Sequence, residues 1–253
     1  MLNTPKLTIV GAGPGDVDLI TIKAIKALEV ADVILYDALI NEELLNYASK
    51  QAEVIFVGKR KGCYAFQQEQ INELIVAKAK EKGHVVRLKG GDPFIFGRGT
   101  EEIEYAQSFG LETFVVPGIS SVSAVPAYQG IPLTKRHTAE SFWVITGTTK
   151  NHQLSEDVAI AAKSTATIVI LMGMSKLEEI VNLFSAENKQ NTAVAVIQEG
   201  TTVNEKVGIG TISTIQQVVE ENQLTSPAII IIGEVVKERV TLTSIYKELE
   251  NNS

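Results

Sequence analysis

The stretch "LTIVGAGPGD", Leu7–Asp16, is typical of a buried β-strand that runs into a glycine-rich turn. Similar β-branched runs recur through the first half of the chain, separated by amphipathic stretches. Strands alternating with helices predict a mainly parallel, wound sheet. The predicted strands are 7–10, 32–36, 53–58, 84–88 and 113–118, with one helix over 19–28 after a candidate cap at Asp18 and another over 67–83 ending at Gly83.

The second half of the chain predicts a different sheet. Two of its strands are separated by only a short turn, which favours antiparallel pairing. Its predicted strands are 141–146, 166–173, 192–201, 205–211 and 227–236, with helices near 176–184 and 212–221. Pro, Gly and charge interrupt both patterns at 130–140. We therefore expect an α/β protein of two lobes, 1–133 with a mainly parallel sheet and 134–253 with a mixed sheet, and a ligand cleft between them.

Composition excludes several classes of protein. The chain has 253 residues, 45% of them hydrophobic, and its apolar runs are far shorter than a membrane span. Cys63 is the only cysteine, which excludes an internal disulfide, and the three histidines are too scattered to suggest a metal cluster. The net charge of −7 argues against general nucleic-acid binding. We expect a cytoplasmic protein without a metal, a membrane contact or a nucleic-acid partner.

The glycine turn at 11–16 leaves its own role open. Its spacing is GxGxG, whereas the dinucleotide fingerprint needs its third glycine one position later. Pro14 has no backbone N–H to hold a pyrophosphate, and Asp16 would repel one. Asp37 nevertheless stands about where a ribose-binding acid is expected, so a nicotinamide-dependent oxidoreductase remains an alternative. A turn that needs glycine only for its backbone conformation is another.

Two further loops follow predicted strands. The segment "RLKGGDPFIFGRGTEE", 87–102, combines four glycines with charge, which favours binding over a structural turn. The loop at 117–136 offers Ser120 and Ser121 near a helix start, where hydroxyls also serve as caps. Because loops at the carboxyl ends of parallel strands share one edge, all three should converge. The basic residues nearby predict a polyanionic substrate; they are Lys59, Arg60, Lys89, Arg98, Lys135 and Arg136.

The motifs resemble, in order and over almost the whole chain, the tetrapyrrole methyltransferases. They are "VGAGPGD", "ADVILYDALI", "VGKRKG", "RLKGGDPFIFGRGTEE", "VVPGISS", "GIPLTKR", "ILMG" and "PAIIIIGEVV". Diphthine synthases share the glycine turn, whereas "VGKRKG" with "LKGGDPFIFGRG" is similar to the uroporphyrinogen-III C-methyltransferases. The resemblance implies S-adenosylmethionine as methyl donor and a homodimer. It also implies methylation of uroporphyrinogen III at carbons 2 and 7, giving precorrin-2 by way of precorrin-1, for sirohaem or cobalamin biosynthesis.

The resemblance also implies roles for individual residues. Asp37 in "YDALI" would be the proton acceptor, and Lys59 in "VGKRKG" the proton donor. The donor-binding residues would be Pro14, Gly90, Gly91, Asp92, Ile95, Ser120, Ser121, Met172 and Gly200. The polycarboxylate substrate would meet Arg60, Lys89, Arg98, Lys135 and Arg136.

The chain departs from the family at two histidines. It has "GIPLTKR" where "GIPLTHR" is usual, and "TGT" at 146–148 where "TGH" is usual. Histidine-based proton transfer is therefore not expected at these positions. Methyl transfer to an electron-rich ring carbon depends on positioning and needs no nucleophilic side chain. A methyltransferase acting on another corrin precursor and a non-catalytic sensor of the methyl donor remain alternatives.

Overall fold

The chain divides into two compact units in the computed structural model, which describes residues 4–58 and 66–242. The division falls between Ser120 and Ser121, earlier than the sequence boundary at 133/134. Its physical reason is the helix that begins at Ser121, because Val122 and Val125 are buried in the core of the second sheet. The change of texture at 130–140 therefore lies inside the second unit.

The first unit contains a five-stranded sheet in which every neighbouring pair is parallel. Its strands are β1 (Lys6–Gly11), β2 (Val33–Tyr36), β3 (Glu53–Phe56), β4 (His84–Lys89) and β5 (Glu112–Val116). They lie in the order β3-β2-β4-β1-β5, so β1 is flanked by β4 and β5. The predicted parallel, wound sheet is confirmed, and all five strands end at one edge.

Helices cover both faces of this sheet. They are α1 (Ile22–Glu29), α2 (Gln68–Lys82) and α3 (Gly99–Ser108), with 3₁₀ turns at Val17–Leu19 and Glu42–Tyr47. Leu7 and Ile9 of β1 pack in the core that also holds α2, while Val10 packs in the core that holds α1. This alternation is the two-residue period of a strand buried on both faces.

The residue that caps α1 differs from the one predicted from the sequence. The cap is Thr21, whose Oγ1 accepts from Ala24 N at 3.1 Å, and Asp18 lies in the preceding 3₁₀ turn, which Asp16 caps. The helix buries Ala24 and Leu28, whereas Ile22 is exposed. The candidate cap at Asp18 was therefore wrong by one short turn, since Asp16 and Thr21 each begin a separate element.

The second unit contains a mixed five-stranded sheet. Its strands are β6 (Phe142–Thr146), β7 (Thr167–Leu171), β8 (Ala193–Gln198), β9 (Lys206–Thr211) and β10 (Ala228–Ile232), in the order β6-β7-β10-β8-β9. β6 and β7 are parallel, and every other neighbouring pair is antiparallel. The predicted mixed sheet is confirmed. Because β10 is antiparallel to both β7 and β8, those two strands end at the same edge.

Helices and 3₁₀ turns cover the second sheet. They are α4 (Ser121–Tyr128), α5 (Asp157–Lys163), α6 (Leu177–Ala186) and α7 (Ile215–Glu221), with 3₁₀ turns at Met174–Lys176 and Glu234–Glu238. One core takes Phe184 of α6 and Ile215 of α7, and the other takes Val125 of α4 and Val235. In the described part of the chain, no helix combines the length and apolarity needed to cross a bilayer.

His84, at the start of β4, makes the stability of the first unit depend on pH. Its ring is buried, with Nε2 2.8 Å from Thr8 Oγ1 and Nδ1 3.1 Å from the Val30 carbonyl. Burial lowers the pKa of His84 below its ordinary 6.5, although the Val30 carbonyl opposes the shift. The unfolded chain therefore binds a proton at His84 more readily than the folded chain does. The stability that is present above pH 6.5 consequently falls as the pH drops below that value.

We expect the free energy of unfolding to fall when the pH is lowered from about 7.5 to about 5.5, and to fall less in His84→Gln. Urea unfolding followed by circular dichroism at the two pH values measures both differences. An equal fall in the variant and the parent would exclude His84 as the source.

Candidate functional site

Three loops of the first unit meet backbone to backbone at the carboxyl edge of its sheet. A β-carbon placed on Gly11, at the end of β1, would lie 2.5 Å from Gly118 Cα and 2.7 Å from the Gly91 carbonyl oxygen. One placed on Gly118, after β5, would lie 2.2 Å from that same oxygen. Real β-carbons do not approach so closely, so any side chain here would separate the loops. The predicted convergence of the three loops is therefore present.

Hydrogen bonds join the first two of these loops. Gly91 N donates to Gly13 O at 2.7 Å, and Gly13 N donates to Gly91 O at 3.3 Å. Ala12 N also donates to Lys89 O at 2.8 Å, which extends the pairing of β1 and β4 past the strand ends. Half-buried Pro14 follows directly. The turn is thus fixed by its neighbour before any ligand is considered.

Asp92 ties the second loop to the third. Its Oδ2 accepts from Gly118 N at 3.1 Å, and its Oδ1 accepts from Phe94 N at 2.8 Å. The side chains of Phe94, Ile95 and Phe96 that follow are all exposed. Phe96 also has a left-handed φ of 56°, an uncommon conformation for an aromatic residue that the surrounding loop must hold. Asp92 therefore shapes a loop that presents apolar side chains to solvent.

Asp37 lies at the same edge, directly after β2. Its Oδ1 accepts from Leu39 N at 3.0 Å, and its Oδ2 accepts from Arg87 Nη2 at 3.2 Å, while its side chain keeps 22% exposure. The same loop contacts the glycine turn, because Asn41 Nδ2 donates to Gly15 O at 3.1 Å. Asp37 is therefore an oriented carboxylate with access to solvent at the carboxyl edge of the sheet.

A buried ion cluster of Arg87, Lys89 and Glu102 adjoins Asp37. Glu102 Oε1 accepts from Arg87 Nε at 3.2 Å and from Lys89 Nζ at 3.0 Å, and the Glu102 side chain has no exposure. Burial lowers the pKa of Lys89, the Arg87 charge lowers it further, and Glu102 opposes both. Lys89, expected to meet substrate, is held inside the protein by Glu102. Glu102 and Arg87 were not predicted as site residues from the sequence; the charges inside "RLKGGDPFIFGRGTEE" were the available signal.

The other basic residues differ in their surroundings. Arg98 is exposed and pairs with Glu101, Lys135 is exposed and pairs with Glu238, and Arg136 is exposed. Glu101 raises the pKa of the Arg98 guanidinium, so that group stays charged. Lys59 and Arg60 lie outside the described residues.

The remaining predicted residues follow strands or begin a helix. Met172 follows β7 with its side chain 51% exposed and a left-handed φ of 55°, and its carbonyl accepts from Thr148 Oγ1 at 2.8 Å. Gly200 follows β8, where a β-carbon would lie 2.5 Å from Val125 Cγ1. Both residues lie at the edge that β7 and β8 share. Ser120 is buried after β5, and Ser121 begins α4.

Metal ligands are not grouped in the described residues: no three His, Cys, Asp or Glu side chains there are placed to hold an ion. The described site offers the close-packed backbone of Gly11, Gly91 and Gly118, called here the glycine edge, together with the oriented carboxylate of Asp37 and the buried ion cluster.

Comparison with known proteins decides the family. A profile of tetrapyrrole (corrin/porphyrin) methylases matches residues 6–216, most of the chain. The chain belongs to the tetrapyrrole methylases. A curated relative of this methylase, the uroporphyrinogen-III C-methyltransferase of Methanocaldococcus jannaschii, is 49% identical over 235 residues, covering 92% of this chain and 97% of the relative. The resemblance inferred from the motifs is confirmed at the level of the family.

Two further matches place this methylase among its relatives. Siroheme synthase 2 of Pectobacterium atrosepticum is 44% identical over 94% of the chain, which spans 51% of that longer protein. A crystal structure of uroporphyrin-III C-methyl transferase from Thermus thermophilus complexed with S-adenyl homocysteine superposes with a TM-score of 0.79 at 32% identity. That match covers 92% of this chain and 99% of the other.

Proposed function

We propose that this methylase transfers methyl groups from S-adenosylmethionine to carbons 2 and 7 of uroporphyrinogen III, giving precorrin-2 by way of precorrin-1. The observation that carries the proposal is the match of almost full length to a uroporphyrinogen-III C-methyltransferase. The siroheme synthase match supports sirohaem as one use of the product. The family also includes corrin methylases, which keeps cobalamin biosynthesis as another use.

The glycine edge of the first unit suits a sulfonium donor better than a dinucleotide. The donor has a carboxylate, an ammonium, ribose hydroxyls and an adenine ring with apolar faces, but no phosphate, so Pro14 and Asp16 do not disfavour it. Half-exposed Ile95 offers an apolar contact, and backbone groups at strand ends offer hydrogen bonds. The related structure complexed with S-adenyl homocysteine supports this assignment. The proposed donor residues are Pro14, Gly90, Gly91, Asp92, Ile95, Ser120, Ser121, Met172 and Gly200.

Residues of this chain would position the substrate and move a proton. When bound, the donor would supply an electrophilic methyl group to the ring carbon, with cleavage of its S–CH3 bond and release of S-adenosylhomocysteine. The methylated ring must then lose a proton, and Asp37 Oδ2, oriented at the carboxyl edge of the first sheet, is the proposed acceptor. Lys59 is the proposed proton donor. Exposed Arg98 and Arg136, with Arg60 and Lys135, are proposed to meet the substrate carboxylates.

The direct test is turnover by the purified protein. We expect uroporphyrinogen III and S-adenosylmethionine, incubated anaerobically, to give two successive methylated products by mass spectrometry, with undiminished yield in the presence of a chelator. Binding of the donor without any methylated product would contradict the substrate assignment. Conversion of a later corrin precursor in preference to uroporphyrinogen III would instead support the alternative within the family. Binding of NADH, detected as heat in calorimetry, would instead support the alternative of a nicotinamide-dependent oxidoreductase.

The oligomeric state and the cellular location of the protein complete the proposal. We propose a homodimer acting in the cytoplasm without a metal, a nucleic acid or a membrane, as the resemblance and the composition led us to expect. Analytical ultracentrifugation at micromolar concentration checks the first of these, and a sedimenting species of monomer mass would contradict it.

A further inference from the structure

The buried ion cluster has a feature that stability alone does not account for. Glu102 Oε1 receives three donors, from Arg87, Lys89 and the Gln68 side-chain amide at 3.1 Å. Glu102 Oε2 is equally buried and has no hydrogen-bond partner among the described residues. A carboxylate buried with one oxygen unsatisfied carries a large desolvation cost. Net stability therefore does not by itself explain why a charged Glu102 stands here instead of an apolar residue.

Arg87 connects Glu102 to Asp37 at the carboxyl edge of the sheet. Its Nε donates to Glu102, and its Nη1 donates to the carbonyls of Leu88 at 2.8 Å and Leu35 at 3.4 Å. These contacts leave Nη2 directed at Asp37 Oδ2, 3.2 Å away. The planar guanidinium cannot turn one nitrogen without turning the others, so the position of Glu102 is passed on to Asp37.

We propose that Glu102 is a positioning residue that holds the Asp37 carboxylate in its reactive orientation through Arg87. Lys89 belongs to the same device: its ammonium balances the second negative charge of the group, so that two cations face Glu102 and Asp37. The inference rests on the proposed function, because it takes Asp37 as the proton acceptor. It assigns to Lys89 a structural role in place of contact with substrate.

Glu102→Gln tests the inference, since it keeps the size of the side chain and removes its charge. We expect kcat to fall about 10- to 100-fold, while the KM for uroporphyrinogen III and the affinity for S-adenosylhomocysteine change less than about threefold. Glu104→Gln, the same substitution at an exposed position of α3, is the matched control and should behave like the parent. Parent-like kcat in Glu102→Gln would overturn the proposal.

A double variant separates positioning from a general effect on the fold. If Glu102 acts through Asp37, adding Glu102→Gln to Asp37→Asn should lower kcat less than about twofold further. An equal fold-loss in both backgrounds would overturn the proposal. Should Glu102→Gln fail to fold, Glu102→Asp keeps the buried charge and withdraws the acceptor from Arg87, and the same loss of kcat is expected. Failure of both variants to fold would assign Glu102 to stability alone.

A crystal structure of Glu102→Gln, or of Glu102→Asp, gives a readout that needs no turnover. We expect the contact between Arg87 Nη2 and Asp37 Oδ2 to be lost, with Asp37 in a new rotamer. An unchanged contact would overturn the positioning role even if the parent enzyme is active. A parent enzyme without methylated product contradicts the proposed substrate, and the lost or kept contact still decides the role of Glu102.

Discussion

Asp37→Asn should lower kcat by about 10²- to 10⁴-fold, the range expected when a positioned acid–base group is removed. The amide keeps an oxygen for Leu39 N but cannot accept a proton from the methylated ring. Removal of the Asp37 carboxylate should therefore lower kcat and leave the affinity for the donor unchanged. Steady-state product formation followed by mass spectrometry measures kcat, and calorimetry with S-adenosylhomocysteine measures donor affinity, which we expect to stay within about threefold.

The matched control is Asp157→Asn, the same change at an exposed position of the second unit, at the start of α5. It should leave both quantities unchanged. If Asp37→Asn retained parent-like turnover, another group would have to take the proton, and Asp37 would keep only a role in the loop. A loss of donor affinity equal to the loss of turnover would instead make Asp37 a binding residue.

Gly118→Ala should weaken donor binding severely, which is the second large effect that we expect. The new methyl group would lie 2.2 Å from Gly91 O and 2.7 Å from Gly11 Cα, so at least one loop must move. Displaced backbone at three strand ends removes the surface on which Pro14, Gly91 and Ser120 are proposed to meet the donor. We expect at least a hundredfold loss of affinity, about 2.7 kcal/mol, together with about 1–3 kcal/mol of stability from overpacking.

Gly110→Ala is the control that separates the loss of donor affinity from the loss of stability. Gly110 has a φ of +80° and no atom within 4 Å of its would-be β-carbon, so alanine there suffers only the left-handed conformation. It should lose about 1–2 kcal/mol of stability in urea unfolding and keep parent-like donor affinity. Parent-like affinity in Gly118→Ala as well would show that the close approach of the loops does not form the donor site.

The sequence predicted the parts of this fold that rest on strong local signals. β1 and β10 are runs of β-branched residues buried on both faces, and such runs identify a strand without tertiary information. α3 and α5 were missed because their signals are weak. α3 starts at a glycine that looked like loop, and α5 is a short helix whose apolar residues are mostly alanine and valine.

The sequence predicted which loops meet at the carboxyl edge of the first sheet. It did not predict which side chains contact one another there. Asp37 and Asp92 stood out because each follows a strand at the carboxyl edge. Glu102 did not, since it lies in the second half of a charged motif and a surface helix ordinarily exposes such a residue. Its burial, like that of Lys89, depends on how α3 packs against the sheet, and nothing in the local pattern gives that.

The close approach of Gly11, Gly91 and Gly118 limits how the ligand preference of this enzyme can be altered. Backbone at these positions is already in contact, so redesign by enlarging those residues would change the fold before it changed the choice of ligand. The adjoining side chains at 94–96 are exposed and in contact with solvent. Substitutions at 94–96, which include the proposed donor contact Ile95, can therefore change the surface of this loop while the glycines stay untouched.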